Sequence, residues 1–278
     1  MARKKVRIYS ADFETTVYEG QTATEVWASA VVELYTEDVH MLYCHNLKFD
    51  GSFWLDFLLN KRNYRQAYDI LSEEPFACKW RDEKNMPNHS IKYAISNKGA
   101  WYSITIKDGH HYIYIRDSLK LLPFSVKRIG ESFGTKHKKL DMEYTGYRYA
   151  GCPITDEEKH YIANDVLVVK EALEIMFDEG HKKMTIGSCC LSEFRKGFNT
   201  REYDMLFPDL YAMDIDPCYD YHTAGDYILK SYKGGWCYLA RGKEARIKTN
   251  GCTLDVNSLY PSMMHSCSGN RYPIGDPT

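Results

Sequence analysis

The sequence predicts an α/β protein, with a mixed sheet laid down first and helices packed on it afterwards. Three observations carry that prediction. Up to Asp117, most segments alternate apolar and polar residues and are rich in β-branched and aromatic side chains. At Thr155 a capping box with Glu158 opens an amphipathic helix that runs to about Phe177. Across 278 residues, 44% hydrophobic and 27% charged side chains supply a core for one large or two modest domains.

The elements follow in order. Val6 to Glu14 alternates like a strand, and Thr24–Tyr35 and His40–Cys44 read as two more. Between Gly51 and Leu59 the spacing of Phe53, Trp54, Phe57 and Leu58 turns helical. Residues 73–100 are polar, with scattered Asn, Pro and Lys, and predict a long loop or irregular hairpin. Ala100–Lys107 and His110–Asp117 form another strand pair, and Pro123–Phe133 suits a short helix. After the long helix, Met184–Phe198 opens a region rich in Tyr, Asp and Gly. A boundary near residue 185 is expected, giving domains 1–185 and 186–278.

Bulk chemistry narrows the function classes. The net charge of −2 means that any nucleic-acid binding must come from local basic patches. The nine cysteines are dispersed, without a C-x-x-C pair, which predicts reduced thiols in a cytoplasmic setting and argues against zinc. No apolar run is long enough to cross a membrane, and the basic start, Arg3 to Lys5, leads to no secretory h-region. A monomer with no membrane partner is expected.

Four acids stand where acids are costly. Asp12 and Glu14 are two apart on a predicted strand, on the face of Val6 and Ile8. Taken alone, such a pair reads as solvated acids at a strand end. Asp165 shares the apolar stripe of its helix with Tyr161, Ile162, Val169, Leu173 and Met176, a core defect unless it holds a metal or a partner. Asp50, alone, reads as a helix N-cap. Together the four meet the needs of two-metal phosphodiester hydrolysis, in which two Mg²⁺ or Mn²⁺ ions roughly 3.5–4 Å apart take oxygen ligands from several elements. The segment Arg116–Lys139 adds Arg116, Lys120, Lys127, Arg128, Lys136, Lys138 and Lys139 against Asp117 and Glu131, and predicts a groove for a DNA backbone.

The segments YSADFETT (9–16), YCHNLKFDG (43–51) and YIAND (161–165) resemble the three exonuclease motifs of protein-primed family B DNA polymerases of the small Bacillus-phage type. The likeness continues through DSLKLLPFSVK (117–127), KLDMEY (139–144), MTIGS (184–188), SYKGGW (231–236) and DVNSLYP (255–261). The resemblance implies a ribonuclease H-like 3′→5′ exonuclease fold followed by an incomplete polymerase palm. It implies Asp12, Glu14, Asp50 and Asp165 as metal-site carboxylates, Tyr161 as the phenol orienting the attacking water, and Lys139 as the catalytic lysine. Thr15, Tyr43, His45, Asn46, Phe49, Phe53, Ser118, Leu119 and Tyr144 would hold the single-stranded 3′ end. Tyr232, Gly234 and Gly235 would approach template DNA, Asp255 would bind the nucleotide metals, and Tyr260 would lie under the incoming sugar.

The partners implied are single-stranded and primer-template DNA, with a terminal protein primer for a full-length form in a bacterial host. The second carboxylate pair of the palm is not found after DVNSLYP, so the chain reads as truncated and as unable to polymerise by itself. The competing reading is a DNA-binding fragment with little cleavage. A stand-alone ribonuclease H-like nuclease is a third, against which DVNSLYP argues.

Overall fold

The computed structural model describes residues 7–16, 18, 20–35, 40–70, 78–142, 148–149, 151–216, 218, 220–234 and 254–276. They fall into two compact units, Met1–Leu191 and Ser192–Thr278.

The first unit is built on a seven-stranded mixed sheet. Its strands in chain order are β1 (Arg7–Thr15), β2 (Val26–Tyr35), β3 (His40–Cys44), β4 (Arg65–Gln66), β7 (Ser90–Ile95), β8 (Trp101–Asp108) and β9 (His111–Asp117). A separate two-stranded hairpin pairs β5 (Tyr68–Ile70) with β6 (Cys78–Trp80). The spatial order is β2-β1-β3-β9-β8-β7-β4. β3 runs parallel to both β1 and β9, whereas β2 on one side and β8 and β7 on the other pair antiparallel. The parallel centre brings the C-terminal ends of β1, β3 and β9 to one edge.

Helices cover both faces. α1 (Leu47–Asp56), extended by a π-helical turn Phe57–Lys61, covers one face over Ala11, Cys44, Ile91, Ile104, Ile106 and Ile115. α2 (Val126–Ser132) and α3 (Asp156–Asp178) cover the other, where Tyr43, Leu122, Ile129, Val169, Leu173 and Phe177 form a second apolar cluster. α3 starts at the expected Thr155, whose hydroxyl accepts from the Glu158 amide while the Glu158 side chain accepts from the Thr155 amide. α4 (Ile186–Arg195) follows, and its Cys189 lies in the α3 cluster.

Two local expectations change. Ser90–Ile95 is a full strand of the main sheet rather than part of a long loop, because Ile91 is buried within the α1-side core. α1 begins at Leu47, ahead of Gly51, so Asp50 sits in its first turn instead of capping it.

The second unit holds α5 (Thr200–Leu206), α6 (Ala224–Ser231) and α7 (Leu259–Met264). An aromatic cluster of Phe194, Phe198, Tyr203 and Phe207 has ring centroids 5.1–6.5 Å apart. Among the described residues no helix is long and apolar enough to cross a membrane, and Cys44, Cys152, Cys189, Cys190, Cys218 and Cys267 are free thiols.

Candidate active site

Asp12 and Glu14 lie near the C-terminal end of β1, on the face that Ile8 and Ser10 turn toward α3. Asp12 Oδ1 accepts the Phe13 amide at 3.0 Å. Burial, with the charges of Glu14 and Asp165 beside it, pushes the Asp12 carboxyl up to about 7.

Asp50 reaches the same edge from the first turn of α1. The chain enters that helix through Asn46, held in the left-handed conformation at φ 72°, with no capping bond from its side chain. A carboxylate from another strand does the capping. Asp117 Oδ1, at the end of β9, accepts the amides of Asn46 (3.1 Å), Leu47 (3.2 Å) and Leu119 (3.0 Å), and Lys120 Nζ lies 3.3 Å from Oδ2. Gly51 lets the helix sit on Trp101, since a Cβ there would stand 2.6 Å from the indole. Asp50 is 1% exposed, and its Oδ1 has no hydrogen-bond partner. Burial, and then the charge of Asp12, raise its carboxyl to about 8.

The third wall is α3. Asp165 is 4% exposed, one turn beyond Tyr161. Lys139 Nζ donates to Asp165 Oδ2 and, at 2.6 Å, to the Tyr161 hydroxyl, and stands 4.3 Å from the centre of that ring. Burial pushes the Lys139 ammonium down, but its bonds to Asp165 and Tyr161 outweigh this and raise it. Burial raises the Asp165 carboxyl against the opposing pull of Lys139. Asp165 Oδ1 is buried without a partner.

A divalent cation fits this donor set in kind. Two carboxylate oxygens, on Asp50 and Asp165, are buried and unpartnered, and burial, followed by neighbouring carboxylates, pushes Asp12 up to about 7 and Asp50 up to about 8. The donors are hard oxygens that suit Mg²⁺ or Mn²⁺. The neighbouring Cys44 thiol is fully buried and pushed well above its usual range, so it stays neutral. The four acids do not form a closed cage: among the described residues, no three His, Cys, Asp or Glu side chains stand ready to hold one ion. Lys139 supplies positive charge at Asp165.

The residues expected to hold DNA divide into several groups. Phe49 is exposed, and Phe53 meets it edge-on at 5.3 Å, which leaves an aromatic surface beside Asp50. His45 Nε2 bonds the Phe124 carbonyl at 2.8 Å and Nδ1 lies 3.1 Å from Ser118 Oγ, so buried Ser118 orients His45 and does not face outward itself. Thr15 closes β1, where its carbonyl accepts Trp27 Nε1 at 3.1 Å, and Leu119 is half-buried. Tyr43 lies deeper. It is 1% exposed within the α3 cluster, its ring 5.6 Å from Phe177. Several members of the basic run have partners within the protein. Arg116 approaches Tyr43, Lys120 pairs with Asp117, Lys138 bonds the Gly130 carbonyl, and Lys139 is bound as above. Tyr232, Gly234, Asp255 and Tyr260 are exposed in the second unit, and Tyr144 and Gly235 lie outside the described residues.

Sequence reasoning counted Asp117 only as an acid interrupting a basic run. Its parity with Ile113 and Ile115 on β9 was the available signal, because it places a carboxylate on the core face.

Comparisons with known proteins bear on this geometry. The family described as DNA polymerase type B, organellar and viral, matches residues 32–152 and 148–278. The DNA polymerase of Bacillus phage Nf is 34% identical over 301 residues, which cover 100% of this chain and 46% of that protein. The chain thus spans about half the length of this relative. Among solved structures, phi29 DNA polymerase with primer-template DNA and incoming nucleotide aligns with a TM-score of 0.69 at 31% identity, over 99% of this chain and 47% of that one. The same polymerase with single-stranded DNA gives 0.63 at 30% identity, over 86% and 41%.

Proposed function

Because the chain belongs to the organellar and viral type B DNA polymerases, we propose that its first unit is a ribonuclease H-like 3′→5′ exonuclease acting on single-stranded DNA ends. The observation that carries this is the pair of buried, unpartnered carboxylate oxygens on Asp50 and Asp165 beside the charge-starved Asp12. Asp12, Glu14, Asp50 and Asp165 would hold two Mg²⁺ or Mn²⁺ ions. When bound, these ions lower the pKa of the attacking water and offset charge on the leaving 3′ oxygen.

The chain's own residues do the rest. The Tyr161 hydroxyl, held by Lys139, orients the water. The Lys139 ammonium, held beside Asp165 and Tyr161, offsets charge gathering on the phosphate. Phe49 and Phe53 stack on unpaired bases, while Asn46, His45 and Thr15 meet sugar and phosphate.

The test is mononucleotide release from an end-labelled single-stranded oligonucleotide with Mn²⁺. Asp12→Ala with Asp165→Ala is expected to slow release by about a thousandfold. Release that survives both changes rejects the site.

One observation favours a second reading, a DNA-binding module with little cleavage: the lack of a ready cage among the described residues. Tight binding of the oligonucleotide with no ion-dependent release would select it.

In the second unit, Asp255 and Tyr260 are proposed to begin a nucleotide site, with Tyr232, Gly234 and Gly235 toward the template. Polymerisation, primer-template DNA and a terminal protein primer belong, on this proposal, to a longer form.

A further inference from the structure

Lys139 lies in a segment with no regular secondary structure, yet its ammonium must be held to a fraction of an ångström for the role proposed above. The structure contains a rail that does so. α3 presents Tyr161, Asn164, Val168 and Glu171 along one stripe, at spacings of three and four residues. The segment Thr135–Lys139 runs antiparallel down that stripe. Glu171 Oε2 accepts the His137 amide at 3.2 Å, Oε1 takes His137 Nδ1 at 2.5 Å, and the Lys136 amide also bonds this carboxylate. Buried Asn164 donates through Nδ2 to the Lys138 carbonyl. Thr135 Oγ1 bonds the His137 carbonyl at 2.7 Å, and Lys138 Nζ reaches the Gly130 carbonyl at 2.6 Å. Lys139 then arrives at Tyr161 and Asp165.

Glu171 is the anchor of this segment. One carboxylate gathers two consecutive amides and an imidazole, and those bonds keep its pKa low, against the upward push of partial burial. We propose that Glu171 is a positioning residue for Lys139: through His137 and Lys136 it fixes the register of the segment on α3 and so the place of the ammonium. This rests on the nuclease reading of the site.

The experiment pairs hydrogen exchange with kinetics on the full chain, using Glu171→Ala. Exchange at the Lys136 and His137 amides is expected to rise by about tenfold or more, while α3 keeps its protection. With Mn²⁺ and the labelled oligonucleotide, kcat is expected to fall about tenfold with KM within about twofold. In a Lys139→Ala background, Glu171→Ala is expected to cost nothing further. Should the alanine variant not fold, Glu171→Gln keeps the shape with one acceptor oxygen fewer, and is expected to give smaller changes of the same sign.

Unchanged exchange, unchanged kcat, or an equal further loss without Lys139 would each overturn the proposal. If the wild-type chain releases no nucleotide, the nuclease reading fails instead. The exchange arm still decides whether Glu171 holds the segment.

Discussion

At the scale of single residues the site gathers buried acids, with Lys139 bound to one of them, Asp165. Asp12, raised to about 7, and Asp50, raised to about 8, keep protons that an unfolded chain releases near pH 4. The folded state therefore binds more protons across that window, and metal-free stability falls as pH rises through it. Urea melts in chelator from about pH 5 to about pH 9 should show this decline, and Asp50→Asn should flatten it. A rise over the same range would mean that the acids are not charge-starved. Asp12 and Glu14 were legible as a pair on one side of β1 because strand parity sets both with Ile8. Tyr43 was not. Its motif fits a DNA ligand, but its direction depends on β3 pairing with β1 and β9, which no local pattern encodes.

At the scale of elements, α1 decides where Asp50 goes. Its entry is fixed by Asp117, and its seat by the contact of Gly51 with Trp101. Asp117→Ala leaves the Asn46, Leu47 and Leu119 amides short of an acceptor and should cost about 2–4 kcal/mol in urea melts. Asp117→Asn keeps an acceptor oxygen and should cost less than half of that. Gly51→Ala forces a Cβ against the indole ring and should cost about 1–3 kcal/mol and, on the nuclease reading, slow cleavage as Asp50 shifts. Equal melts for the glycine variant and wild type would show that Trp101 moves aside freely. α3 was readable almost to its ends, because the capping box and apolar stripe are local signals. β7 escaped because its short run, SIKYAI, lies between polar stretches and gains its meaning from antiparallel pairing with β8.

At the scale of the whole molecule, fold class was legible and strand order was not. Alternation and capping reveal strands and helices, while the parallel junction of β1, β3 and β9 joins segments far apart in sequence. Ion binding is expected to register as added stability of the first unit. About millimolar Mn²⁺ should raise its melting temperature by about 5 °C, and Asp12→Asn with Asp165→Asn should abolish the rise. An equal rise in that variant would place the ions elsewhere. Asp165 on α3 is also the last of the four acids to be synthesised, long after β1 to β9. On the nuclease reading, a nascent chain whose sheet has already formed still lacks a working centre until α3 docks. On that reading, synthesis delays the hydrolytic chemistry only until α3 has emerged and docked, not until the whole protein is made.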